Sequence, residues 1–223
     1  MYAMLGTRPN LAYTIGVLSH FSAAPMEAHW DATKRTLRYL QATKDLELVY
    51  DGSDVSLDMD FHGYSDADWS GDPNTSRSTS SYVFITNHAA ISWASKHQSM
   101  VALSSTESEY IGLSIAGQHL QWLRTFFDEI GHAQSRPMEL HCDNQAAIIL
   151  CKDPQFQART KHIQQKYHHI WDDLVAKGEA AVRYISTHDM VADILTKALT
   201  HEQHWKFVKA MGLQLRSSGS VKQ

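Results

Sequence analysis

The sequence has little cysteine, no long apolar run and no excess of basic charge. Two cysteines in 223 residues, Cys142 and Cys151, cannot build a disulfide framework or a four-thiolate zinc site. Their scarcity points to a reducing, intracellular setting, with no disulfide-linked partner. No stretch approaches 18 consecutive apolar residues, so no membrane-spanning helix and no membrane partner are expected. The opening MYAMLGTRPN lacks the basic, apolar and small-residue order of a secretion signal. Charged residues make up 20% and hydrophobic ones 43%, which excludes a disordered chain. The net charge of −4 argues against a surface that is nucleic-acid glue throughout.

What is present is unevenly distributed. Residues 1–50 hold five basic and four acidic side chains, residues 51–151 four basic and thirteen acidic, and residues 152–223 eleven basic and seven acidic. An acidic middle followed by a basic end is the pattern to explain.

Leu11, Ile15, Leu18 and Phe21 recur at helical spacing behind Pro9, which suits a first helical turn. After Pro25 a second run sets Trp30, Thr33, Leu37 and Leu40 on one face, giving a helical hairpin. DGSDVS at 51–56 reads as a linker. Leu57, Met59 and Phe61 then alternate with Asp58, Asp60 and His62 as a strand running into Tyr64–Trp69. GDPNTSRSTS reads as a loop. Tyr82–Thr86 and Ala90–Trp93 form a hairpin about Asn87-His88-Ala89. A long helix over Thr106–Ile130 ends at Gly131. Met138, Leu140 and Cys142 mark a fourth strand, Asp143-Asn144 opens a short helix, and another helix spans 160–177. A strand at Val182–Ile185 and a helix at Asp189–Leu199 complete the order. Three meander strands and then β-α crossovers predict an α/β fold, a mixed five-stranded sheet flanked by helices.

Four carboxylates occupy special places in this scheme. Asp66 ends the first strand, Glu109 lies early in the long helix, Asp143 follows the fourth strand, and Asp193 lies in the last helix. Strands one and four pack together if the crossover is ordinary. Crowded carboxylates are costly unless they are paired or bind cations. Such oxygen sets suit hard ions such as Mg²⁺. Two ions about 4 Å apart can activate water and stabilise a leaving oxygen in phosphodiester cleavage.

The segments GYSDADWSGD, STSSYVF, ISWASKHQ, ALSSTESEYIGLS, LHCDNQAAI, RTKHI and VADILTK, in that order, resemble the ribonuclease H domain of copia-type long-terminal-repeat retrotransposon polyproteins. LGTRPNLAYTIGVLSHF and HWDATKRTLRYL are similar to the segment joining the reverse transcriptase thumb to that domain. The resemblance implies a ribonuclease H-like fold and two Mg²⁺ ions, with Mn²⁺ as a substitute. It also implies cleavage of the RNA strand of an RNA–DNA hybrid, leaving a 3′-hydroxyl and a 5′-phosphate. By motif it assigns Asp66 to bridge both ions, Glu109 and Asp143 to hold one, and Asp193 to hold the other beside the attacking water. The expected division is a reverse transcriptase remnant over 1–50, a ribonuclease H domain over 57–212 and a polar tail over 213–223. The reverse transcriptase palm and fingers are then the expected partner within the same polyprotein. Without them the helical hairpin is expected to expose apolar surface.

Competing readings accompany each residue. Asp68 rivals Asp66, although motif position favours Asp66. Thr106 and Glu109 fit a capping box, and Asp143 fits a helix cap; Glu107 reads as a solvated first-turn residue. His188 stands five residues before Asp193, where cellular ribonucleases H often carry a loop histidine. His162, His168 and His169 lack partners at zinc-ligand spacing. Arg159, Lys161 and Lys166 form the best basic stretch for hybrid phosphates, with Asn144, Gln145, Ser78 and Thr79 as polar contacts. The rival to a nuclease is a catalytically silent or domesticated fragment that only binds nucleic acid or a partner protein. Four intact acids favour the nuclease.

Overall fold

The computed structural model describes residues 1–50, 61–72, 74–152, 174 and 177–215. The strand start at residues 57–60, the helix over 160–177 and the residues Arg159, Lys161, His162, Lys166, His168 and His169 lie outside these. The elements are α1 (Tyr2–Gly6), a 3-10 turn at Pro9–Leu11, α2 (Ala12–His20), α3 (Glu27–Ala42), β1 (Leu46–Leu48), β2 (His62–Asp68), β3 (Thr79–Thr86), β4 (Ala89–His97), α4 (Ser105–Glu129), β5 (Met138–Cys142), α5 (Gln145–Lys152) and β6 (Ala180–Tyr184). Two 3-10 turns, Thr187–Asp189 and Val191–Leu195, then lead to α6 (His201–Ala210) and β7 (Leu213–Leu215).

The main sheet has the order β4-β3-β2-β5-β6. β2, β3 and β4 are antiparallel neighbours, while β5 runs parallel to β2 and β6 parallel to β5. This is the mixed five-stranded α/β arrangement expected from the sequence, ribonuclease H-like in strand order and direction. Asn87 and His88 both have positive φ, 48° and 63°, and Thr86 pairs with Ala89. That is the geometry of a two-residue type I′ turn.

Each face of the sheet carries its own core. Tyr110, Leu113 and Leu120 of α4 pack on Phe84, Leu140 and Val182 with Ile148 of α5 on one side. On the other, Val83 and Ile85 meet Met190, Ile194, Leu195, Phe207 and Met211, joined by Ala12 and Leu46. The helical hairpin therefore shares a core with the end of the chain. β1 and β7 reinforce this by pairing antiparallel, Leu46 opposite Leu215 and Leu48 opposite Leu213. The stretch from 213, expected as a polar tail, thus begins as a strand.

Several local expectations are corrected. The helix expected over Asp189–Leu199 is two 3-10 turns split at Met190, whose backbone is extended (φ −73°, ψ 92°). Val191 to Leu195 are all buried, so no polar face remains on which an amphipathic helix could turn to solvent. Hydroxyls of Ser81 and Ser95 donate instead to the carbonyls of Ala192 and Leu195. The loop expected through residue 80 gives way at Thr79 to β3, and β4 continues to His97, because Thr79–Tyr82 pair with Ala94–His97. In α3 the buried residue is Thr36, while Trp30 and Leu37 are more than half exposed. α6 and β1 had no counterpart in the sequence reading.

Gly212 sits where the end of α6 turns into β7 and closes on Ala89 of the sheet. Its φ is +80°, and a Cβ there would lie 2.6 Å from the Ala89 Cα. Gly212→Ala is expected to lower stability by about 2 kcal/mol or more through left-handed strain and backbone collision. Urea unfolding of the two proteins side by side measures it; equal midpoints would show that the backbone shifts freely here.

Candidate metal centre

Parallel pairing brings the ends of β2 and β5 to one edge of the sheet. The register runs from His62 opposite Glu139 to Tyr64 opposite His141. Continued by two residues, it sets Asp66 level with Asp143, the first residue beyond β5. β2 outruns β5, and the Ala67 amide beyond the paired stretch is taken by the Glu109 carboxylate. Glu109 reaches it because α4 crosses β2 closely at Gly112, where an added Cβ would lie 3.4 Å from the Ala67 Cβ. The second Glu109 oxygen, Oε2, is buried without a hydrogen-bond partner. Ligand atoms of Glu109, Cys142 and Asp143 all lie within 4.8 Å of one another.

Asp193 enters from the opposite side of the sheet. The Ser81 hydroxyl lies 3.4 Å from the Asp66 carbonyl and 3.1 Å from that of Ala192, tying the 3-10 turn to β2. The Asp66 and Asp193 carboxyls are close enough to interact. Thr196 Oγ1 donates to Asp66 Oδ2. Lys197 Nζ lies 2.9 Å from Asp193 Oδ1 and 3.9 Å from Asp66 Oδ2. Thr187 Oγ1 donates to Asp143 Oδ2 at 2.7 Å. The four carboxylates expected from the sequence thus come together from four separate elements. Asp66, Glu109 and Asp193 are at most 6% exposed.

Such crowding disfavours ionisation. Burial raises the Asp66 carboxyl against the opposing pull of Lys197 and Thr196. Glu109 is held well above the ordinary range by burial and by the charges of Asp66 and Asp143. Asp193 is pushed up to about 7 by burial and then Asp66. Burial alone would lower the Lys197 ammonium, but Asp66 and Asp193 outweigh it and raise it. The Cys142 thiol is driven far up by burial, then by Glu109, and forms a neutral wall of the site. A cluster of hard oxygens with one buried oxygen lacking a partner fits a divalent cation.

The competing readings separate cleanly. The α4 cap is Ser104, whose hydroxyl accepts from the Glu107 amide at 3.1 Å, while Glu107 Oε2 accepts from the Leu103 amide at 2.8 Å. Glu107, expected to be solvated, is buried and does the capping; Glu109 is left to the cluster. Asn144 caps α5 by accepting from the Ala147 amide, which leaves Asp143 uncommitted as a cap. Asp68 accepts the Thr79 amide and serves the start of β3. Ser78 is fully buried and accepts from the Ser70 amide, so it is no surface contact for nucleic acid. Thr79 lies in β3, and Gln145 is exposed at the start of α5. His188 is exposed, on the turn whose Thr187 holds Asp143. The sequence reading missed Thr187, Thr196 and Lys197. Lys197 stands four residues after Asp193, a spacing that could have revealed it.

Asp193 keeps its proton in the folded protein until about pH 7, whereas the unfolded carboxyl releases it near its ordinary value of 3.8. Unfolding between those limits releases a proton, so stability falls as pH rises from about 4 to 7. Metal-free protein is expected to melt at a lower temperature at pH 7.5 than at pH 5, with a smaller difference in Asp193→Asn. A melting series across that range checks both; an identical slope in the variant would remove Asp193 as the source.

No family model matches the chain. It is 41% identical over 208 residues to the retrovirus-related Pol polyprotein from transposon RE2 of Arabidopsis thaliana, matching 93% of this chain and 14% of that protein. It is 43% identical over 199 residues to the corresponding polyprotein from transposon TNT 1-94 of Nicotiana tabacum, at 89% and 14% coverage. It is also 50% identical over 123 residues to the secreted RxLR effector protein 161 of Plasmopara viticola, at 55% and 84% coverage. Among solved structures, LC11-RNase H1 in complex with an RNA/DNA hybrid is 16% identical, at 61% and 93% coverage, with a TM-score of 0.42. The chain thus spans about a seventh of the length of the polyproteins it matches, and over nine-tenths of its own length it is homologous to one segment of the retrovirus-related Pol polyproteins of transposons.

Proposed function

We propose that this chain is the ribonuclease H segment of a Pol polyprotein, a divalent-metal-dependent endonuclease that hydrolyses the RNA strand of RNA–DNA hybrids. One observation carries the reading: Glu109 and Asp143 offer ligand atoms within 4.8 Å of each other, the charges of Asp66 and Asp193 act on the same cluster, and Glu109 Oε2 is buried without a hydrogen-bond partner. Asp66 and Asp193 would hold one cation, and Asp66 with Glu109 and Asp143 the other. Bound Mg²⁺ ions supply charge for activating the water and stabilising the leaving oxygen.

The chain's own residues supply position. The parallel pair β2 and β5 fixes Asp66 against Asp143, and the Ala67 amide orients Glu109. Thr187 and Thr196 hold one oxygen each of Asp143 and Asp66. Asp193 stands beside the attacking water. The water oxygen forms a bond to phosphorus as the bond from phosphorus to the 3′-oxygen breaks. The departing oxygen takes a proton, leaving a 3′-hydroxyl and a 5′-phosphate. Reading the hybrid would rest on minor-groove shape and 2′-hydroxyls, with Asn144 and Gln145 near the edge and the basic stretch Arg159, Lys161 and Lys166 along the phosphates. The remainder of the polyprotein, with its reverse transcriptase palm and fingers, would present the hybrid.

The test is cleavage of an end-labelled RNA–DNA hybrid in Mg²⁺ by the 223-residue chain, beside Asp143→Asn and Glu109→Gln. Either substitution is expected to reduce the rate about 100-fold or more, and Thr187→Ala about 10-fold through misplacement of Asp143. Binding of the hybrid without any cutting would instead favour the catalytically silent alternative, and equal cutting by Asp143→Asn would assign the chemistry elsewhere.

A further inference from the structure

Lys197 divides the carboxylate cluster into two unlike halves. On one side its ammonium lies 2.9 Å from Asp193 Oδ1 and 3.9 Å from Asp66 Oδ2, between the two acids. On the other, Glu109 and Asp143 face each other beside the neutral Cys142 thiol, and Glu109 Oε2 has no hydrogen-bond partner. The lysine is placed there by the backbone. The Thr196 and Lys197 amides both donate to the Asp193 carbonyl at 3.1 Å. The two consecutive side chains then each take a carboxylate, Thr196 bonding Asp66 and Lys197 pairing with both acids.

We infer that Lys197 is a resident counter-ion that makes cation loading of this site unequal. The Glu109–Asp143 side, which holds no counter-ion among the described residues, would take a first divalent cation, and the Asp66–Asp193 side would take a second only once the Lys197 ammonium has left it. The inference rests on the reading of this cluster as a metal site. Like charges so close together repel strongly at a buried edge, so the ammonium and a second cation cannot share the Asp66–Asp193 pair. The two sides also differ in what can move. Asp66 and Asp193 are almost wholly buried and fixed by Thr196 and Ser81, whereas the Lys197 side chain is 40% exposed on a flexible four-carbon stem. Displacement therefore needs only a rotation of that stem into solvent, where the negative backbone of a bound nucleic acid would receive it.

Calorimetric titration of the whole chain with Mn²⁺ at pH 8, without substrate, tests this against Lys197→Met and Lys197→Arg. Wild type is expected to bind either one ion, or two with dissociation constants at least 100-fold apart. Lys197→Met is expected to tighten the weaker site at least tenfold and to leave the tighter one within threefold; Lys197→Arg is expected to keep the gap. Should the methionine variant fail to fold, Lys197→Gln carries the same expectation. Two equal sites in wild type, or a weaker site unmoved in the neutral variants, would overturn the inference while leaving the metal site standing. Absence of any Mn²⁺ binding by folded wild type would overturn the metal-site reading itself, and the inference with it.

Discussion

Mutual repulsion among carboxylates held at one buried edge is the constraint around which this structure is arranged. Carboxylates crowded in this way would separate if nothing held them. Each is instead pinned by a different part of the fold: a strand, a long helix, a post-strand corner and a 3-10 turn. The pinning groups are mostly uncharged: the Ala67 amide on Glu109, Thr196 on Asp66 and Thr187 on Asp143. They orient the acids without neutralising them. Among the described residues the compensating charge comes from Lys197, and one ammonium cannot offset four acids. The residual negative potential is what would draw a cation to the edge.

The two cores serve that edge. One presses α4 onto β2 closely enough for Glu109 to reach past the strand. The other anchors the turn bearing Asp193 through Met190, Ile194 and Leu195, with Phe207 and Met211 behind them. Acids from the two sides of the sheet approach one another where β2 runs on beyond its pairing with β5. Stability is thus concentrated in apolar layers behind the site, and the site itself is a place of electrostatic strain.

Much of this was legible in the sequence, and the failures have identifiable causes. Turn chemistry made the β3–β4 hairpin legible, because Asn87-His88 can adopt positive φ. The four acids were legible through motif order, and parallel register brings Asp66 and Asp143 together. Ser104-x-x-Glu107 and Thr106-x-x-Glu109 are equally good capping boxes by spacing; both glutamates are buried, and only the hydrogen bonds at Ser104 and Leu103 tell them apart. Ser78 looked like a surface hydroxyl because composition cannot show that the Ser70 amide needs it. The turn at Val191–Leu195 was taken for an ordinary helix since apolar residues on every side leave no periodicity to read. The pairing of β1 with β7 links residues too distant in sequence for any local pattern to register.

That pairing has a mechanical consequence. β1 and β7 are antiparallel, with Leu46 opposite Leu215, so the chain enters and leaves this part of the fold at the same end of a short ribbon. Tension applied across residues 45 and 216 would meet the ribbon end-on, opening one rung at a time like a zipper instead of shearing all rungs at once. Behind it, the five-stranded sheet would feel no load until the ribbon had parted. Strain entering at that end of the ribbon would be spent on its rungs before it reached the carboxylate edge.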